Sequence, residues 1–253
     1  DGALDVLAGA PGIDSLVIWS GPLTGAVSVD AATAVRTGGA AGDRLGASVA
    51  AGGDVDGDGV ADLLVGAPAA AGGTGGVYWL EGPLSGVSAV EPDTLIAGAA
   101  VGDAAGGTLD FAGDVDGDGS TDILVGGAVD RAWLLLGAAT VASSLADAPL
   151  RVDGATGDGV GTALAGVGDV DGDGLDEVAI GAPGVDAGAG GVWVASGALS
   201  GVVTLDAIDS ARLGDAAGAA AGRAVSPAGD VDGDGYADLL VGGAGAAWLL
   251  RGP

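Results

Sequence analysis

Four times along the chain the string Gly-Asp-Val-Asp-Gly-Asp-Gly recurs, beginning at Gly53, Gly113, Gly168 and Gly229. Counting Asp54 as position 1, carboxylates fall at positions 1, 3, 5 and 9: Asp54, Asp56, Asp58 and Asp62. Alternate acids on a tightly turning loop can converge on one point, and Gly59 permits the sharp turn behind them. The carbonyl of Val60 can add an oxygen, and Asp62 closes the cage from the following strand. A cage of hard oxygens at this spacing suits Ca²⁺, which takes 6–8 ligands at ~2.3–2.6 Å, better than Mg²⁺, which keeps its waters. The other three cages are Asp114, Asp116, Asp118, Ser120 and Asp122; Asp169, Asp171, Asp173, Leu175 and Glu177; and Asp230, Asp232, Asp234, Tyr236 and Asp238. A solvated acidic turn is the plain alternative, but four such clusters without a cation would each repel themselves. Asp176, beside Glu177, is expected to point to the other side of its strand. The opening segment repeats the second half of the unit and keeps only Asp1 and Asp5 of the acids.

Composition removes most other chemistry. The 253 residues contain no His, no Cys and no Lys; all seven basic residues are arginines. Imidazole bases, thiol nucleophiles, Schiff-base lysines and phosphate-cradling lysines are therefore excluded, as are thiolate and imidazole metal sites. A net charge of −28 with no basic stripe repels a phosphate backbone, so nucleic acid is not an expected partner. The longest uncharged run, residues 187–205, carries five glycines and reads as strand, turn and strand rather than a membrane span. What catalytic capacity remains lies in carboxylates and hydroxyls. Asp110, Asp130 and Asp153 stand outside the cages, each read as a turn or channel residue.

The elements that carry the loops repeat with them. The first aspartates of successive loops are 60, 55 and 61 residues apart. Each unit has a short glycine-led run, the loop, an apolar run such as Asp62–Pro68, a tryptophan-bearing run, and a weaker fourth segment. Runs of this length, rich in Val, Leu and Ile and punctuated by Gly and Asp, predict a four-stranded antiparallel meander. One such meander cannot bury both faces alone, so successive copies must stack. The expected fold is all-β: a β-propeller of about five consecutive blades forming one domain over 1–253, with repeats starting near residues 1, 46, 106, 161 and 222. A β-sandwich is the competing architecture. The first blade lacks its innermost strand and the last its outermost, so the blade edges at both ends are expected to be open or covered by a neighbour. Trp19, Trp79, Trp133, Trp193 and Trp248 fall inside the third runs, where space-filling between blades outweighs sugar stacking; Trp79 is displaced by one residue and should face the opposite way.

These motifs resemble the FG-GAP repeat of integrin α-subunit propellers and their bacterial relatives. The Gly-Ala-Pro signature stands at residues 9–11, 66–68 and 181–183, and departs to Gly-Gly-Ala at 126–128 and 242–244. The Phe-Gly pair is represented by Leu45-Gly46, Ala105-Gly106, Val160-Gly161 and Ala221-Gly222, never with its phenylalanine. An aspartate eleven residues before the loop (Asp43, Asp103, Asp158) becomes Ala219 in the last copy. The resemblance implies a seven-bladed, calcium-stabilised propeller, extracellular or on the cell surface, in which the loop acids are structural Ca²⁺ ligands. It also implies a non-catalytic adhesion or recognition module whose protein or glycan partner binds at the rim or face, with self-association or neighbouring domains at the open edges. The alternatives are a structural repeat of a surface layer or fibre, and the accessory propeller of a carbohydrate- or lipid-active enzyme.

Overall fold

The computed structural model describes residues 4–90, 94–128, 130–137, 142–196, 199–208, 210–211 and 213–252. Five blades follow one another. Blade 1 contains β1 (Val6–Ala10), β2 (Ser15–Trp19) and β3 (Ala34–Thr37). Blade 2 has β4 (Val49–Gly53), β5 (Asp62–Gly66) and β6 (Gly76–Leu80), then a linker strand β7 (Gly86–Ala89) and the outer strand β8 (Leu95–Ala97). Blade 3 is β9 (Thr108–Gly113), β10 (Asp122–Gly126), β11 (Arg131–Leu135) and β12 (Leu150–Asp153). Blade 4 repeats blade 2 with β13 (Ala163–Gly168), β14 (Glu177–Ala182), β15 (Gly191–Ala195), the linker strand β16 (Gly201–Thr204) and β17 (Ser210–Ala211). Blade 5 has β18 (Ala224–Gly229), β19 (Asp238–Gly242) and β20 (Ala247–Leu250).

Within each blade neighbouring strands run antiparallel, and the aspartate loop joins the first strand to the second, as the order of runs predicts. Among the described residues blade 1 has no first strand of the unit and blade 5 no fourth. One arrangement departs from the simple meander: β7 leaves its own blade to pair parallel with β3, and β16 does the same with β12. The linkers of blades 2 and 4 thus strap the outer edge of the blade before them.

The apolar core lies between blades rather than within them. Leu64, Val77 and the partly buried Trp79 of blade 2 meet Ile123, Val125, Trp133 and Leu135 of blade 3. Leu124, Leu134 and Val152 meet Val178, Ile180 and Trp193 one step on. Tyr78 packs on the opposite side, with Leu16 and Ile18 of blade 1, so the one-residue displacement of Trp79 does turn it to the other face. Trp133 and Trp193 are buried, which makes them core.

The glycine signatures have a steric origin. A Cβ on Gly9, Gly66, Gly126 or Gly181 would collide with the carbonyl of Gly46, Gly106, Gly161 or Gly222, the glycine opening the next blade. Gly46, Gly106 and Gly161 also donate their N–H to the carbonyls of Gly66, Gly126 and Gly181 in their own blades. Two backbones therefore touch where blades meet. Gly242, at the equivalent place in the last blade, meets only Ala224. The same blade leaves Leu240 at 46% exposure, whereas Leu64 and Leu124 at that register are 0% and 1% exposed under the following blade. No described strand of the first blade pairs with the last.

Candidate metal centre

Each loop is launched by a β-bulge at the end of the inner strand. The register slips between Ala51 and Gly53, and at the matching places in the other three copies. The slip sets Gly53 directly opposite Asp62, so the mouth of the loop is closed by the position 9 acid. Gly59, Gly119, Gly174 and Gly235 then take φ between +86° and +98°, the left-handed turn expected at position 6.

The first aspartate gathers the loop around itself. Asp54 accepts the N–H groups of Asp58 at 3.0 Å and Gly59 at 2.8 Å, Asp56 accepts Asp58 at 3.1 Å, and Asp58 accepts Val60 at 2.7 Å. Asp114 and Asp230 each take three such donors and Asp169 takes two. The position 9 acids are buried: Asp62, Asp122, Glu177 and Asp238 are at most 2% exposed. Each holds the N–H at position 2 of its own loop (Val55, Val115, Val170 or Val231) at 2.8–3.0 Å. Asp62, Asp122 and Asp238 add the N–H of the glycine after the third strand, Gly82, Gly137 and Gly252. Asp5 has the same partner in Gly21, so the incomplete copy keeps its position 9 role; Asp1 lies outside the described residues.

Four groups of carboxylates come close enough to share an ion, with ligand atoms within 4.8 Å of one another. In the first and last loops the group is positions 1, 3 and 5: Asp54, Asp56 and Asp58, and Asp230, Asp232 and Asp234. In the middle two it is positions 1, 3 and 9: Asp114, Asp116 and Asp122, and Asp169, Asp171 and Glu177. Asp118 and Asp173 accept the N–H of Ser120 and Leu175 as Asp58 and Asp234 accept those of Val60 and Tyr236, and all four position 9 acids hold their loop donor, so these bonds are common to both kinds of group.

Two observations bear on whether a hard cation fits. Among the described residues Glu177 Oε1 is a buried carboxylate oxygen with no hydrogen-bond partner, inside the third group. Burial, reinforced by Asp171, Asp173 and Asp169, pushes Glu177 up to about 7, and burial raises Asp122 to about 6. Acids held this close and this dry resist ionisation, and a divalent cation reverses that by supplying the missing charge and the missing partner. With only oxygen donors in reach, the residues fit Ca²⁺; once bound, the ion would offset half the charge of a cage's four carboxylates and tie positions 1 and 3 to position 5 or position 9.

The loops are also joined to one another, which the repeat pattern alone does not reveal. Position 8 of each loop reaches position 1 of the loop before it. Thr121 donates its N–H to the Asp54 carbonyl at 2.8 Å, and its Oγ1 accepts the Asp54 N–H at 3.1 Å. Asp176 does the same for Asp114: its N–H donates to the carbonyl at 3.1 Å, and its carboxylate accepts the N–H at 2.9 Å. Its side chain thus spans to the neighbouring blade. Ala237 keeps only the main-chain contact, 3.4 Å to the Asp169 carbonyl. At position 7, Leu175 and Tyr236 lie against Gly117 and Gly172 of the preceding loops.

Several acids outside the cages have structural partners. Asp43, Asp103 and Asp158 each accept an N–H three residues upstream, and buried Asp103 also binds Arg131 at 2.7 Å. Asp130 caps Gly157 and Gly159 of the next blade, as Asp14 caps Gly42 and Arg44. Asp153 is held by Arg151 and Arg131, and burial raises half-buried Asp110 above its ordinary range.

Stacked four-stranded blades carrying an aspartate loop between first and second strands define a β-propeller. The FG-GAP repeat model matches residues 45–79, 160–195 and 221–250, which are blades 2, 4 and 5. The chain therefore carries FG-GAP repeats. Blade 3 lies outside the matched segments and has the same loop, strand order and blade contacts.

Proposed function

We propose that the chain is a calcium-stabilised, extracellular recognition module without catalytic activity, in which bound Ca²⁺ holds successive blades in shape for a protein or glycan partner. The observation that carries the calcium part is the orphaned buried oxygen of Glu177 within a cage otherwise complete. The row of linked loops supports a structural role for the ion, because fixing position 1 of one cage fixes position 8 of the next blade. The engagement of Asp130 in capping the next blade and of Asp153 in ion pairs supports a non-catalytic reading. The FG-GAP repeats support a surface or extracellular location, and no described helix is long and apolar enough to cross a membrane.

Calorimetric titration of metal-stripped protein with Ca²⁺ and Mg²⁺, alongside glycan and surface-protein arrays read in calcium and in EGTA, tests the reading. Saturable Ca²⁺ binding, with array signals lost in EGTA, is expected. Absence of Ca²⁺ binding overturns the calcium reading, and hydrolysis of an arrayed glycan overturns the non-catalytic one.

A further inference from the structure

The wedge between blades 4 and 5 is under-filled. Between blades 2 and 3 the equivalent space is closed by Leu64 and Trp79 from one side and Leu109 and Phe111 from the other. At the same registers blades 4 and 5 carry Ala179, Val194, Val225 and Pro227, each smaller than its counterpart. Of these four, Val194 lines a cavity of about 560 Å³ between the two blades, walled also by Leu239 and Leu250, with Asp171, Glu177, Ser196 and Arg251 as polar lining. Its size and its few polar groups are those of a small-molecule site, for which ~300–1,000 Å³ is usual.

Blade 2 displays what such a space accepts. There the Trp79 indole fills it, and Nε1 donates to Asp62 Oδ2 at 3.0 Å. Asp62 thereby receives three N–H donors, from Val55, Trp79 and Gly82. Glu177 occupies the same position in blade 4, receives the Val170 N–H at 2.8 Å, and has a cavity where the indole would be. We propose that this inter-blade cavity binds a small planar aromatic molecule bearing a ring N–H, an indole-type ligand that takes the place of the Trp79 ring and donates to Glu177. The ring would lie on Val194, Leu239 and Leu250, and the N–H supplies orientation.

The probe is indole, with 1-methylindole as the analogue lacking the donor, followed by saturation-transfer NMR and calorimetry on calcium-loaded and on metal-stripped protein. Indole should bind saturably at millimolar concentration or below, and 1-methylindole roughly fivefold more weakly, one hydrogen bond's worth. Val194→Trp should restore the blade 2 arrangement, abolish indole binding and raise the melting temperature. If that variant does not fold, Val194→Leu should still weaken binding and raise the melting temperature. No indole binding by the parent in either metal state, or binding undiminished in a folded Val194 variant, overturns the proposal. Equal affinity for the two indoles overturns the assigned donor contact. Calcium titrations of the same samples report separately on the metal reading.

Discussion

Replacing Glu177 with Gln should stabilise the metal-free protein at alkaline pH, although it removes a proposed ligand. Burial and three neighbouring aspartates carry this carboxyl from an ordinary value of 4.5 to about 7. A raised folded-state value means that the native protein retains a proton which the unfolded chain releases. Stability of the metal-free protein therefore falls as pH rises from about 4.5 to about 7, and levels off above. The accumulated cost at pH 8 is about 3 kcal/mol, and at pH 5 it is below about 1 kcal/mol. Gln preserves an acceptor for Val170, and its amide N–H₂ faces the acceptor oxygens of Asp169 and Asp171. In chelator-treated buffer at pH 8 the variant should melt about 6–12 °C higher than the parent, and at pH 5 by no more than about 2–4 °C. Calcium should narrow the difference at pH 8 without reversing it. One site of ~0.1–1 mM affinity at roughly 2 mM free ion contributes about 0.6–1.8 kcal/mol, and the calcium-induced increment of the variant should be smaller by that amount. Urea melts at the two pH values, with and without Ca²⁺, provide the four measurements. A variant that is equally destabilised at pH 5 and pH 8 without metal would refute the reasoning, because Glu177 would then be acting as a paired rather than a stranded charge.

Across the whole protein, four sites of that affinity amount to roughly 3–7 kcal/mol, so thermal melts should drop by many degrees in EGTA and be poorly restored by Mg²⁺. Asp171→Ala should lose one site's share of this, whereas Asp30→Ala, at an exposed position, should stay within about 0.5 kcal/mol of the parent. Asp176→Ala should cost about 0.5–1.5 kcal/mol and weaken Ca²⁺ at the Asp114 cage of the preceding blade, read by terbium luminescence; Ala237→Thr should add the missing side-chain latch at the last interface. Gly181→Ala should destabilise by about 1–3 kcal/mol or more in denaturant melts through its clash with the Gly222 carbonyl, while Gly242→Ala should be several-fold milder.

The parts of this fold legible in the sequence are those governed by local pattern. Continuous apolar runs, buried on both faces between blades, specify the strands, left-handed glycines specify the loops, and the one-residue offset of Trp79 specifies the face it joins. The strap strands were not legible, because Gly86–Ala89 is exposed along its length and β16 nearly so; their pairing is a backbone event with little side-chain signature. The position 8 latch was hidden for another reason. Thr121 and Asp176 perform one task with different groups, and Ala237 performs half of it with none, so residue identity does not announce it. The signature glycines are conspicuous as letters, yet their partners lie about 40 residues away in the next blade and emerge only once the stack is assembled. At the cages, the acids were legible as a set. Which of positions 5 and 9 joins positions 1 and 3 in the close group differs between loops of nearly the same acids, so residue type does not announce it.

The strapped linkers bear on how such a chain could lengthen. Blades 1 and 3 close their central hairpins with a single left-handed aspartate, Asp14 or Asp130, while blades 2 and 4 use a longer turn with two consecutive left-handed residues, Ala71-Gly72 or Asp186-Ala187, and send out β7 or β16. Corresponding points recur at 116 residues for Asp14 and Asp130, and at 115 for Gly86 and Gly201. The repeating feature is thus a pair of blades whose second member lays a four-residue strap on the outer strand of the first, while the described part of the blade 3 linker meets β8 through one parallel bridge, Ala97 with Ser144. An inserted pair would keep both kinds of seam in alternation; a single inserted blade would set two seams of one kind side by side.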